Sequence, residues 1–186
     1  MTRLMHAAHV SALGIWLGAV LMAGATAAII FPQSKALGLT LPDYAGYTGE
    51  HWRLAAGLIQ ARVFTALDLV QLVCCIVALL TLGYGLFHRA TPGKWASLIR
   101  VVSLWLLLLS LTIQFFFMHP PMDSAMRSYW DSARAGDNAQ AAQYLATFQR
   151  FHGPATGLMA FDAAAVLVAL AVGAWAGVSP GHRVRP

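Results

Sequence analysis

Two charged side chains, Arg62 and Asp68, fall inside an apolar run long enough to cross a bilayer, and Asp162 falls inside another. A charge at membrane depth costs about 2.5 to 3.5 kcal/mol on insertion scales, so such residues face protein or a wet cavity and take a partner. Gln60, Phe64, Asp68, Gln71 and Cys75 follow one another at intervals of four or three, which puts them on one helical stripe. Arg62 precedes Asp68 by six residues, about 240° around a helix, and so looks toward another face. Arg62 lies eleven residues after His51 and Asp162 ten after His152. The flanks rhyme as well, with Ala55-Ala56-Gly57-Leu58 beside Ala155-Thr156-Gly157-Leu158. The spacing therefore predicts an Arg62–Asp162 ion pair between the second and last spans, with Asp68 about 9 Å deeper. A polar set of Arg62, Asp68, Gln71 and Asp162 either orients a helix bundle or holds an ion, a proton or a small solute.

The histidines offer a second chemistry. His51, His119 and His152 fall at the outer ends of apolar segments, near Glu50 and Asp123, whereas His6, His9 and His88 fall at the inner ends. Three imidazoles with a carboxylate suit a transition metal such as zinc or copper, and two facing imidazoles suit haem b. Interfacial hydrogen bonding is the plainer role for them, and on that reading no cofactor is expected. Cys74 and Cys75 are adjacent in a helix and point apart, so small buried residues fit better than a disulfide, and no CxxC or CxxCH occurs. A nucleophile elbow, a phosphate loop and an HExxH are all missing, which argues against an enzyme.

The elements that must carry these residues follow from composition. The chain is 59% hydrophobic and 10% charged over 186 residues, against about 25% charged in soluble domains. A span takes about 20 residues, and four segments qualify: 4–31, 54–87, 98–118 and 156–178. The expected fold is all-α, a single four-helix transmembrane domain covering 1–186. The first segment has a basic start and an Ala25-Thr26-Ala27 site like a secretory signal, but its apolar run is far longer than a signal needs, so it is read as a retained helix. Arg3, Arg89, Lys94, Arg100, Arg183 and Arg185 are six of the twelve basic residues and cluster where no acid lies, so the positive-inside rule gives an N-in/C-in orientation. A net charge of +5 without any basic run gives no reason to invoke nucleic acid.

Along the chain, Gly14 and Gly18 form a GxxxG, a spacing that lets helix backbones approach within a bilayer. Packing inside the bundle is the first use expected of it, and dimerisation the second. Pro32 is expected to end the first helix, and His119-Pro120-Pro121 the third. The third helix, rich in leucine from Leu104 to Leu109, reads as the most lipid-exposed of the four. Residues 138–151 place Ala141, Leu145 and Phe148 on one face and Gln and Arg opposite, an amphipathic outer helix before the last span. His152-Gly153-Pro154 is expected to kink the chain between the two.

The first helix (LxxxxHxxxLGIWLGAVLMAG, ending Ile30-Phe31-Pro32), the second (Ala56-Gly57-Leu58, then Arg62-Val63-Phe64 and Asp68) and the approach to the last (Phe148-Gln149-Arg150-Phe151-His152-Gly153) resemble the transmembrane-protein-205-like group. That resemblance spans most of the chain and implies a small four-helix membrane protein with no catalytic residue. It also implies a link to resistance against metal-containing drugs, as in the group's eukaryotic members. The polar outer insertion from Asp123 to Asn138 and the very short tail depart from the group. The combined expectation is a non-enzymatic integral membrane protein, set in the lipid bilayer of a bacterial inner (cytoplasmic) membrane. It would be an accessory or scaffolding subunit packed against other membrane protein subunits. The alternatives are a small solute or ion carrier using Arg62, Asp68 and Asp162, and a haem- or metal-binding protein using the outer histidines.

Overall fold

The computed structural model describes residues 3–87 and 94–178. His88, Arg89, Arg183 and Arg185, used above for orientation and face, lie outside the described residues. Helix α1 runs Arg3–Ala36, α2 His51–Phe87, α3 Lys94–Ile113, α4 His119–Ala135 and α5 Asn138–Val178, with no strand among the described residues. A short 3-10 turn, Pro42–Tyr44, lies between α1 and α2, and a π-helical turn, Gln114–Met118, joins α3 to α4. Four helices are long and apolar enough to cross a membrane: α1, α2, the Lys94–Ala135 run and α5.

Three expected helix ends are corrected. Pro32 lies inside α1, which continues to Ala36. The stop comes instead at Gly38, whose φ of 58° is left-handed and whose N–H donates to the Lys35 carbonyl, while Leu39 N–H reaches the Ser34 carbonyl. That pair of bonds closes the last turn in a way that a residue with a Cβ does not readily adopt. His119-Pro120-Pro121 does not stop the third helix either. The π turn lets His119 N–H donate to Gln114 O five residues back, and the prolines then occupy the first turn of α4, where missing N–H groups leave least undone. Nor is 138–151 a separate helix: it is the first part of the 41-residue α5, which passes through Pro154 without a break. The stretch between the third and last apolar segments is therefore helix α4, one turn and the beginning of α5. A helix of that length extends about 60 Å, twice the thickness of a hydrocarbon core of about 30 Å.

The turn between α4 and α5 is built by its own sequence. Gly136, at φ 76°, donates to Ala133 O, and Asp137 N–H reaches Ser132 O. Asp137 then caps α5, its Oδ1 accepting Gln140 N–H at 3.0 Å.

The described residues fall into two compact units. The first takes its residues from 3–21, 68–87, 94–110 and 161–178. Each helix gives it a stripe at intervals of three and four: His9, Leu13, Trp16 and Val20 from α1; Gln71, Cys74, Cys75, Ala78 and Thr81 from α2; Arg100, Ser103, Leu107 and Ser110 from α3; Asp162, Val166 and Ala169 from α5. The third span is the most enclosed of the four, not the most lipid-exposed, with 33% of its apolar window buried against 22%, 28% and 22% for the others. Its leucines alternate with Arg100, Ser103 and Ser110 on one stripe, and that stripe turns inward.

The second unit takes 22–67 and 111–160. Its core is Tyr44, Leu54, Tyr129, Ala133 and Ala141, with Tyr47, Trp130, Tyr144 and Leu145 packed around it. Tyr47 and Tyr129 share a hydroxyl hydrogen bond of 2.9 Å, and the Arg134 guanidinium lies over the Tyr44 ring and donates to its hydroxyl. Asn138 ties three backbones: its Oδ1 accepts Thr48 N–H at 2.8 Å, and its Nδ2 donates to Gly46 O and Gly136 O. A Cβ on Gly46 would stand 3.1 Å from Gly136 Cα, tighter than an ordinary contact, so the two backbones lie close together there.

Candidate functional site

The polar groups enclosed in the first unit form the candidate site. They lie on helices whose remaining faces are apolar, so they are held at membrane depth by the same periodicity that buries Leu13, Leu107 and Val166. On α1, His9 is 1% exposed, and its Nδ1 lies 2.8 Å from Thr81 Oγ1 of α2. The Thr81 hydroxyl also reaches the carbonyls of Val77 and Ala78 within its own helix. Two turns farther along α1, Trp16 Nε1 donates to Gln71 Oε1 at 3.0 Å, with both side chains buried. These two bonds pin α1 to α2 with neutral groups, the cheapest way to keep polar atoms in a place without water.

Two ionisable groups complete the set. Arg100 of α3 is 2% exposed and lies within electrostatic reach of His9. Asp162 of α5 is completely enclosed and engaged with its surroundings, and Cys75 of α2 lies within its electrostatic reach. Opposite His9, α5 carries Gly173, where an added Cβ would meet the His9 ring and Val10 at 3.8 Å.

The residues singled out from the sequence are placed as follows. Gln71 and Asp162 are buried in this unit, and Asp68 is half-buried and engaged with neighbours. Arg62, in the second unit, is exposed, so the two ends of the expected Arg62–Asp162 pair have opposite surroundings. The enclosed cation is instead Arg100, which sequence reading used only as a marker of orientation. Its signal was present, since Arg100, Ser103, Leu107, Ser110 and Gln114 repeat every three or four residues.

The outer histidines do other things. His51 has both nitrogens in use: Nδ1 accepts Leu41 N–H at 3.3 Å, and Nε2 donates to Tyr47 O at 2.8 Å. His119 sits edge-on to Phe115, and the exposed His152 stacks on Phe148. Among the described residues no group of three or more His, Cys, Asp or Glu is arranged to hold a metal ion. A Cβ added to Gly14 or Gly18 would meet nothing within 4 Å.

In the second unit, Tyr129 is the titratable group most changed by its setting. Burial, and then the Tyr47 hydroxyl, raise its phenol above the ordinary value. No family model, curated protein or solved structure matches the chain.

Proposed function

We propose that this chain is a non-enzymatic integral protein of a bacterial inner membrane, oriented N-in/C-in, that serves as an accessory or scaffolding subunit of a larger membrane assembly. The observation that carries this reading is the open small-residue face of α1. Ser11, Gly18 and Ala25 are exposed at seven-residue intervals with the half-buried Gly14 beside them, and a Cβ added to either glycine would meet nothing within 4 Å. Within a bilayer such a face gains little from lipid and much from a close helix, because small residues let two backbones approach. The polar groups at depth support the same reading, because His9 with Thr81 and Trp16 with Gln71 are tied to each other. The beginning of α5 then lies at the outer surface, its polar face to water.

The test is purification from the native membrane in a mild detergent, with co-purifying polypeptides identified by mass spectrometry and an absorption spectrum taken on the same sample. A stoichiometric membrane partner that is lost in Gly18→Leu supports the reading. A lone, colourless oligomer whose state is indifferent to Gly18→Leu rejects it, and a Soret band transfers the question to the histidines.

A second reading, a small solute or ion carrier, draws on the ionisable groups enclosed at membrane depth, Arg100 and Asp162. Reconstituted vesicles that move no ion or solute faster than protein-free vesicles would dismiss it.

A further inference from the structure

We infer that Arg100 is the receptor for an oxyanion, held inside the first unit by the side of its guanidinium group. Arg100 is 2% exposed, and its Nε and Nη2 atoms are buried without any hydrogen-bond partner. A guanidinium stays charged under all ordinary conditions, so the group cannot escape burial by losing its proton. Its two unbonded donors are adjacent, on the edge of the fork that a carboxylate or phosphate grips with two parallel N–H···O bonds. That edge therefore has the charge and the geometry to grip a ligand with two oxygens, more than a spherical ion.

The chain itself has little to offer this edge. Of its seven acidic side chains, Asp43, Glu50, Asp123, Asp131 and Asp137 lie outside the first unit. Asp68 and Asp162 belong to it, and neither bonds Nε or Nη2. His9, within electrostatic reach, is already tied to Thr81 through Nδ1. Arg100 stands six residues from the start of α3, about 9 Å along the helix. That depth is within reach both of a small carboxylate from solution and of a lipid phosphate drawn in from the nearer leaflet. The shared chemistry is the oxyanion, and the source is open to experiment.

The site is independent of any partner subunit, so it is tested on the isolated full-length chain in an uncharged detergent. Thermal unfolding is followed at constant ionic strength in sodium formate, in sodium chloride, and with phosphatidylglycerol in the micelles. A midpoint that rises with formate and saturates, with at least a tenfold weaker response in Arg100→Met and an intermediate one in Arg100→Lys, supports a dissolved oxyanion as the ligand. The same pattern with phosphatidylglycerol but not formate supports a lipid phosphate. Equal responses in the wild type and Arg100→Met overturn the inference, as do equal responses of the wild type to chloride and formate when phosphatidylglycerol gives no saturable response either. If Arg100→Met does not fold, Arg100→Lys and direct binding of radiolabelled formate and phosphatidylglycerol to the wild type decide. Absence of saturable binding of either then overturns it.

Discussion

Single side chains set the energetics at membrane depth. Trp16 gives Gln71 its donor, so Trp16→Phe leaves a buried amide oxygen unsatisfied, at a cost of about 1 to 3 kcal/mol. The companion change Gln71→Leu should recover part of that loss. A coupling of about 0.5 to 2 kcal/mol in a double-mutant cycle is expected, read from unfolding in mixed micelles, and a coupling of zero would mean that the bond contributes nothing. Tyr129 gives a prediction in pH. Burial and the Tyr47 hydroxyl raise its phenol above the ordinary 10.0, with Glu50 adding slightly and Arg53 opposing. The folded state thus holds that proton more tightly, and the stability it brings is intact below pH 10 and lost as the pH rises beyond it. Tyr129→Phe should flatten the alkaline fall of the unfolding midpoint, and an unaltered fall would assign it to other groups. Arg100 shows the limit of reading residues singly. In the sequence it is one of several basic residues near a helix start, and only the position of α3 against its neighbours makes it the enclosed cation.

At the scale of elements, glycines distinguish faces that the chain uses from faces that it leaves open. Gly14→Ala and Gly18→Ala meet nothing within 4 Å, so the isolated chain should gain stability by about 0.5 to 1 kcal/mol each through helix propensity while association with a partner weakens. Loss of stability in both would show that α1 packs through this face within the chain. Gly136→Ala should behave in the opposite way, because its φ of 76° disfavours a Cβ and Gly46 lies against it. A loss of about 1 kcal/mol or more is expected in thermal unfolding. The four spans and the inward stripe of α2 were legible because length and periodicity are local properties. The ends were not. Pro32 and the Pro120-Pro121 pair are stop signals in water, but long apolar helices tolerate proline, and the π turn before Pro120 rearranges the bonds that the ring would break. The Tyr47–Tyr129 and His9–Thr81 bonds join residues 82 and 72 apart, and nothing in either neighbourhood names the partner.

For the molecule as a whole, the orientation is the property most open to measurement. In a variant with Cys74 and Cys75 replaced by serine, a cysteine placed at the exposed Gln140 should react with an impermeant maleimide added outside intact cells. A cysteine at the exposed Arg3 should react only after the membrane is opened. The reverse pattern would invert the topology and with it the surface on which the start of α5 lies.

The links of Asn138 to Gly46 and Thr48 cross 92 and 90 residues, and that of Arg134 to Tyr44 crosses 90. A ribosome adding about 5 to 20 residues per second needs roughly 5 to 18 seconds to cover such a gap. Throughout that interval the nascent segment after α1 presents Tyr44 and Tyr47 with none of these partners yet made. The order of synthesis therefore gives this aromatic segment a period of exposure in which a chaperone or a neighbouring subunit has first access to it.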